Sequence, residues 1–248
     1  MIPAAGCRHS MVDEISPIDA AYRRHTAAVR VMHWVNAIAL VALLMSGLQI
    51  FNAHPALYWG KSSYTGAGPI FAPGPFPGWI TLPGTQWLAM GRRWHLFFAW
   101  VLVVNGAAYI AYSIGSRHLV RDLWPTRAEL AGIGRSIVDH LRLRHPAGEA
   151  ARRYNVLQKL AYVFVIFVLI PFLVLMGLGL SPSLDTVVPG WVDAFGGRQS
   201  VRTLHFVAAM LVVAFAAVHV FEVVVTGFWN NLRSMITGRY RTPRGEPR

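Results

Sequence analysis

The chain has 248 residues, of which 54% are hydrophobic and only 14% charged, with a net charge of +12 and a mean hydropathy of +0.42. Soluble domains carry about 25% charged residues, so the composition excludes an ordinary soluble enzyme and points to an all-α integral membrane bundle. The basic residues flank apolar runs instead of forming a soluble patch, which excludes nucleic acid and makes membrane lipid the expected surrounding.

Residues 1–29 lack an apolar core and carry Arg8, Arg23 and Arg24; they read as a mostly disordered cytoplasmic tail without a signal peptide. Cys7 is the single cysteine, so no disulfide can form within the chain, and there is no C-x-x-C-H run to attach a c-type haem. Span one is predicted from about Val31 to Phe51 and span two from about Trp94 to Ile114. Span three is predicted from about Val156 to Leu180, with Pro171 expected to kink it, and span four from about Val201 to Trp229. Each exceeds the roughly 20 residues that cross a bilayer, and neighbouring helices tolerate such a proline in lipid. The domain division is a tail to 29, a membrane domain over 30–232 and a basic cytoplasmic tail over 233–248.

The connections differ in character. The loop over about 52–91 is rich in Pro, Gly and aromatics, which suggests a packed, functional segment. The loop over 115–155 is basic, with a short amphipathic helix expected near Arg127 to His145. Of the 23 Lys and Arg, eighteen lie in the two tails and the 115–155 region (counted through Lys159) and five in the other loops. The positive-inside rule then puts both termini and the 115–155 loop of this multi-pass protein in the cytoplasm.

Histidine spacing carries the functional signal. His205 and His219 are 14 residues apart in span four, which is about 21 Å along the axis and four turns less about 40°. The two rings therefore share a face, one near each membrane surface. With the predicted topology His33 matches the depth of His219, and His95 that of His205. A histidine in a membrane helix is costly and marks a functional site by default. A lone one can simply bridge helices, and four at two matching depths go beyond that. A zinc site would gather its ligands round one ion, which pairs about 21 Å apart cannot do. Two stacked haems, each held by a histidine pair, fit the pattern, and bis-histidine ligation favours electron transfer because no iron position is open.

Gly47 follows His33 by 14 residues and Gly106 follows His95 by 11, each on its ligand's face but at the other depth. Both would clear a strip for a flat porphyrin, although helix packing favours small residues too. Arg30 at the inner depth, and Arg92, Arg93 and Arg202 at the outer, are candidates to pair with haem propionates. Arg30 also fits ordinary positive-inside flanking.

Arg30-Val-Met-His33-Trp34, Gly91-Arg-Arg-Trp-His95 and the His205/His219 pair resemble the bacterial di-haem cytochrome b family, which includes the b-type subunits of nickel–iron hydrogenases and formate dehydrogenases. The stretch from Gly47 to Gly60, ending in Pro55-Ala-Leu-Tyr58-Trp59-Gly60, looks most like the thiosulfate-reductase cytochrome b branch. The resemblance covers about residues 22–240. It implies a four-helix bundle, two b haems on His33, His219, His95 and His205, a quinone site (ubiquinone or menaquinone) and a catalytic partner. The branch implies a periplasmic molybdopterin-type oxidoreductase as that partner.

A quinone exchanging protons needs a polar pocket beside a haem. Glu222, the only acidic residue within a span, and Asn36 with span three suggest an inner pocket. Tyr58, Trp59 and Trp79 under the long loop suggest an outer one. The leading expectation is thus an electron-transfer subunit between the quinone pool and a periplasmic redox partner. Alternatives are a self-sufficient quinone-linked oxidoreductase acting on a small oxidant such as superoxide, and a haem-free transporter or membrane anchor.

Overall fold

The computed structural model describes residues 21–63, 68–84, 86–117, 119, 124–141, 156–181, 186–188 and 190–241. Cys7, His118, His145, residues 1–20 of the N-terminal tail and 242–248 of the C-terminal tail lie outside these residues. Four helices are long and apolar enough to cross a membrane: Ala27–Asn52, Leu88–Gly115, Val156–Gly179 and Arg198–Val225. They are spans one to four. Many of their large apolar side chains, among them Ile38, Val41, Phe97, Trp100, Val104, Val220 and Phe221, are exposed on the protein surface and suit lipid.

The chain ends lie together. β1 (Ala21–Arg23) pairs antiparallel with β2 (Arg239–Arg241), with Tyr22 opposite Tyr240. The Arg24 guanidinium lies 4.7 Å from the centre of the Tyr240 ring. Residues 21–26 are therefore structured, where the composition of 1–29 predicted disorder. We call the end of the bundle that carries this pair the inner end, and the end carrying residues 53–86 the outer end.

Helix boundaries moved for local reasons. Thr26 caps span one by accepting from the Val29 N–H, so the helix begins before Arg30. Span two starts at Leu88, which puts His95 two turns inside the helix. Span four stops at Val225, because Gly227 adopts a φ of +109° and turns the chain. A separate helix, Phe228–Thr237, follows and straddles the boundary predicted at 232. In span three the proline is absorbed by a π-helical stretch, Val165–Leu169. Pro171 has no N–H, and its ring needs the room of the carbonyl four residues back. The wider turn provides that room.

Span one lies along span two, and span three along span four. Gly91 makes the first contact close, since a Cβ there would sit 2.8 Å from Gln49 Cγ. Leu169, Leu173, Ala208 and Val212 form the core of the second pair. Between the pairs the backbones of spans one and two approach span four only at isolated points. Side chains meet across the pairs: Leu40 of span one packs against that core, and the Phe51 and Phe206 rings of spans one and four lie 5.1 Å apart.

The outer loop is fastened to span four. The Gly60 carbonyl accepts from the N–H groups of Gln199 and Ser200, at 3.0 and 3.3 Å, and Gly60 N–H donates to Ser200 Oγ at 2.8 Å. These bonds satisfy free N–H groups in the first turn of a helix whose N-cap, Gly197, has no side chain. Thr203 Oγ1 donates to the Tyr58 carbonyl at 2.7 Å, and Arg202 donates to the carbonyls of Ala56 and His54. Lys61 pairs with Asp193 at 3.0 Å. Asn52 at the end of span one exchanges two hydrogen bonds with the Phe76 backbone. The segment that carries the Pro-x-Leu-Tyr-Trp-Gly pattern is thus a strap across the outer end.

On the inner side the expected amphipathic helix is two helices, Arg127–Ala131 and Ile133–Leu141, the first closed by a Thr126/Glu129 capping box. Glu129 bonds Lys159 at 2.8 Å, and that lysine side chain is only 8% exposed.

Two predictions follow from these contacts. A Cβ on Gly197, whose φ is +103°, would meet Lys61 Cα at 2.7 Å and the Gly60 carbonyl oxygen at 2.9 Å. Gly197→Ala should cost about 1–3 kcal/mol, read as a lower midpoint of thermal unfolding in detergent with faster proteolysis of the strap. The hydrogen bond from Lys159, followed by the Thr126 N–H, holds the Glu129 carboxyl below its ordinary range. Its stabilisation is complete above the unfolded carboxylate range and is lost as pH falls through the depressed folded value. Thermal stability should decline from about pH 5 downward, and Glu129→Gln should flatten part of that decline.

Candidate functional site

The four helices bring the four predicted histidines together as two pairs. His33 of span one faces His219 of span four at the inner level, with ring centroids 6.3 Å apart. His95 of span two faces His205 of span four at the outer level, 6.1 Å apart. Two imidazoles joined by a direct hydrogen bond would have centroids about 5 Å apart. Two imidazoles on opposite sides of one metal, each nitrogen about 2 Å from it and each ring centre about 1 Å further back, have centroids roughly 6 Å apart. Both pairs meet the second spacing. Among the described residues no group of three or more His, Cys, Asp or Glu is placed to hold an ion, so a tetrahedral cluster has no donor set here.

The outer rings are held at Nδ1. His95 Nδ1 lies 3.2 Å from the Leu43 carbonyl and 3.2 Å from Ser46 Oγ. The Ser46 hydroxyl donates to the Ala42 carbonyl at 2.6 Å, which leaves its oxygen to accept. His205 Nδ1 donates to the Leu173 carbonyl at 3.0 Å. These bonds assign the hydrogen to Nδ1 and leave Nε2 as the lone pair for a metal. The inner pair differs: His33 Nδ1 is buried with no hydrogen-bond partner among the described residues, and His219 stacks on Phe215 at 13°.

Glycines make room for the outer rings. A Cβ on Gly47 would lie 3.4 Å from His95 Cε1, and one on Gly177 would lie 3.1 Å from His205 Cε1. Gly47 thus abuts a histidine ring, where the sequence suggested a porphyrin face. Gly177 escaped notice because its partner is on another helix. Gly106 has nothing within 4 Å of its Cβ direction, so that face is open.

The arginines are tethered differently from the expectation. Arg30 donates to the Ile236 carbonyl, at the end of the helix that follows span four. Arg202 spends two donors on the strap carbonyls, and its guanidinium lies 5.5 Å from the centre of the Phe51 ring. A guanidinium has five N–H donors, and Arg30 Nε is buried with no hydrogen-bond partner among the described residues. Arg92 and Arg93 are exposed. One signal was in the sequence: Arg30, Arg92 and Arg202 each precede a paired histidine by three residues, which sets each arginine on its histidine's face, one turn away.

The residues of the two predicted quinone pockets have the following neighbours. Asn36 accepts from Asn105 Nδ2 at 2.7 Å, and the same amide donates to the Met32 carbonyl at 2.8 Å. Asn36 therefore joins span two, not span three. Glu222 lies near Tyr162 of span three and interacts with it electrostatically, as does Arg24. Tyr162 also meets Phe215 edge to face, which places this polar group beside His219. At the outer end Tyr58 is buried and stacks on His54, whereas Trp59 and Trp79 are exposed, 58% and 82%. They do not converge on one cavity. Burial, and then the Arg202 guanidinium, hold His54 below its ordinary range. An apolar groove of about 380 Å³ along span one, lined by Trp34, Ala37, Ile38, Val41, Ala42, Met45 and Leu82, touches neither histidine pair.

With this geometry in hand, comparison with known proteins gives a match over residues 24–238 to the family described as prokaryotic cytochrome b561. The chain belongs to that family. It is a membrane electron-transfer cytochrome subunit, and the family implies haem b. A protein from Azospira oryzae, provisionally named a protein-methionine-sulfoxide reductase subunit, YedZ1, is 34% identical over 80% of this chain and 89% of its own length. A protein from Cupriavidus necator, provisionally named a Ni/Fe-hydrogenase B-type cytochrome subunit, is 25% identical over 96% of this chain and 94% of its own. Both names describe subunits of redox complexes, which supports a redox partner here.

The residues present fit that cofactor: two opposed imidazole pairs at metal-bridging spacing and an open face at Gly106. Gly177→Leu should push the His205 ring off its position and lower haem content by about one per chain. Gly106→Ala should lower it less, because no protein atom lies in the way; absorbance of the purified chain in detergent reads both.

Proposed function

We propose that the chain holds two b haems, the inner on His33 and His219 and the outer on His95 and His205. It would relay electrons across the bacterial inner membrane between the quinone pool and a periplasmic redox partner. The observation that carries the reading is the pair of imidazole–imidazole separations, each suited to one metal between two rings. Haem b, when bound, supplies a one-electron centre with no open position. The protein's part is to fix ligand rings, exclude water and set the distance between the sites.

Arg30, Arg92 and Arg202, with Arg93 beside them, are the residues we assign to the haem propionates. Gly47, Gly177 and Gly106 keep space beside the ligands and the macrocycle. For the quinone we favour the inner end, where Glu222, Tyr162 and the Asn36–Asn105 pair supply polar groups near His33 and His219. An intramembrane carboxylate there suits proton exchange with the cytoplasm. The Tyr58 carbonyl helps to hold the strap to span four, and neither Tyr58 nor Trp59 has a quinone role in this reading.

Both described chain ends lie at one end of the bundle, and the distribution of Lys and Arg assigns that end to the cytoplasm. The outer face, with Arg92, Arg93 and exposed Trp59, then meets the periplasmic partner. The resemblance to the thiosulfate-reductase branch suggests a molybdopterin enzyme, and the relative named as a methionine-sulfoxide reductase subunit supports a reductase partner.

The purified chain should show a low-spin b-type reduced-minus-oxidised spectrum and bind about two haems by pyridine-haemochrome assay. His205→Ala should remove the outer haem alone and His33→Ala the inner alone. A variant of either kind that keeps full haem content would refute the pairing, and absence of haem from the wild-type chain would refute the reading.

A further inference from the structure

Both outer ligand rings have their Nδ1 hydrogen-bonded to the protein, and neither inner ring does. His95 bonds the Leu43 carbonyl and Ser46 Oγ, and His205 bonds the Leu173 carbonyl. His33 Nδ1 is buried with no partner among the described residues, and no hydrogen bond to the His219 ring occurs among them. We infer that this difference makes the outer haem site the more reducing of the two, with Ser46 as a positioning residue that contributes to it. The inference rests on the two-haem reading above.

The physical basis is ligand basicity. An Nδ1–H that donates to a carbonyl gives its ring anionic character and makes Nε2 a stronger electron donor. A stronger donor favours the ferric over the ferrous state and lowers the potential. At the outer site both axial ligands are strengthened in this way; at the inner site neither is.

Fixed charge works in the opposite direction, because Arg92 and Arg202 lie one turn from the outer ligands and only Arg30 lies one turn from an inner one. That effect is the weaker. Arg92 is exposed and is screened within about 8 Å at physiological salt. Arg202 is already engaged with two carbonyls. The hydrogen bonds act on the ligand rings themselves, inside the bundle.

In the chain carrying a single electron, that electron should therefore reside at the inner site. The outer site stays ferric and the inner is ferrous, with no proton or further reductant needed to balance the distribution.

Ser46 makes the inference testable because it is fully buried, touches only the outer ligand pair, and can be shortened without adding volume. A spectroelectrochemical titration of the detergent-purified chain should resolve two midpoints. Ser46→Ala should raise the lower one and leave the upper unchanged, while Ser46→Thr, which keeps the hydroxyl, should restore the wild-type value. In a second arm His33→Ala keeps only the outer haem and His205→Ala only the inner; the first chain should titrate at the lower potential. Movement of the upper midpoint in Ser46→Ala, no movement of either, or the reverse order in the single-haem chains would overturn the inference while leaving the two-haem reading intact. Fewer than two haems on the wild-type chain would overturn both.

Discussion

An imidazole between membrane helices has two nitrogens to satisfy and no water nearby to do it. That constraint organises this bundle. Helical backbones satisfy their own polar groups, so the cost of crossing lipid falls on a few side chains, and the four paired histidines are the largest of these. At the outer level each ring gives one nitrogen to a carbonyl of a neighbouring span and turns the other towards its partner across the gap. A centroid separation near 6 Å is too long for the two rings to satisfy each other.

The outer strap answers a second constraint of the same kind. Span four begins at a glycine with no side chain to cap it, two turns before His205. The Gly60 carbonyl takes over the capping, and Thr203 and Arg202 tie the flanking backbone to the same helix. A loop that caps a ligand-bearing helix fixes the height of that ligand relative to the one on span two. Its glycines suit the close backbone approach that this capping needs.

Periodic and depth-related information was legible in the sequence; information between helices was not. Four spans, the shared face of His205 and His219, and the depth of His33 and His95 follow from hydropathy and a 3.6-residue repeat, and the described helices carry them at those depths. The clearance at Gly177, the bond from Ser46 to His95 and the Asn36–Asn105 bridge depend on which faces meet, which no single helix specifies. Asn36 was misplaced for that reason: its register was right, but its neighbour was span two. Pro171 was read as a kink because a missing N–H is visible in sequence, whereas the π-helical turn that absorbs it depends on the packing of span three against span four. Order in residues 21–23 was missed because a two-stranded pair is stabilised by a segment more than 200 positions away.

The asymmetry between the two histidine levels bears on how a symmetric-looking scaffold acquires two unlike sites. Span four supplies one ligand to each level, so its geometry alone treats the two sites alike. The distinction comes from the other helices. Spans one and three turn carbonyls towards the outer rings at Leu43 and Leu173, each on a helix with a glycine within a turn or so, Gly47 and Gly177, that lets the ring approach. Adding a Cβ at either glycine would press on the ring and strain its carbonyl bond. Around His33 and His219 the neighbours are Trp34 and Phe215, which pack against the rings without accepting from Nδ1. Carbonyls accepting from Nδ1 at the outer level and rings packing without accepting at the inner are thus the cause of two unlike ligand environments.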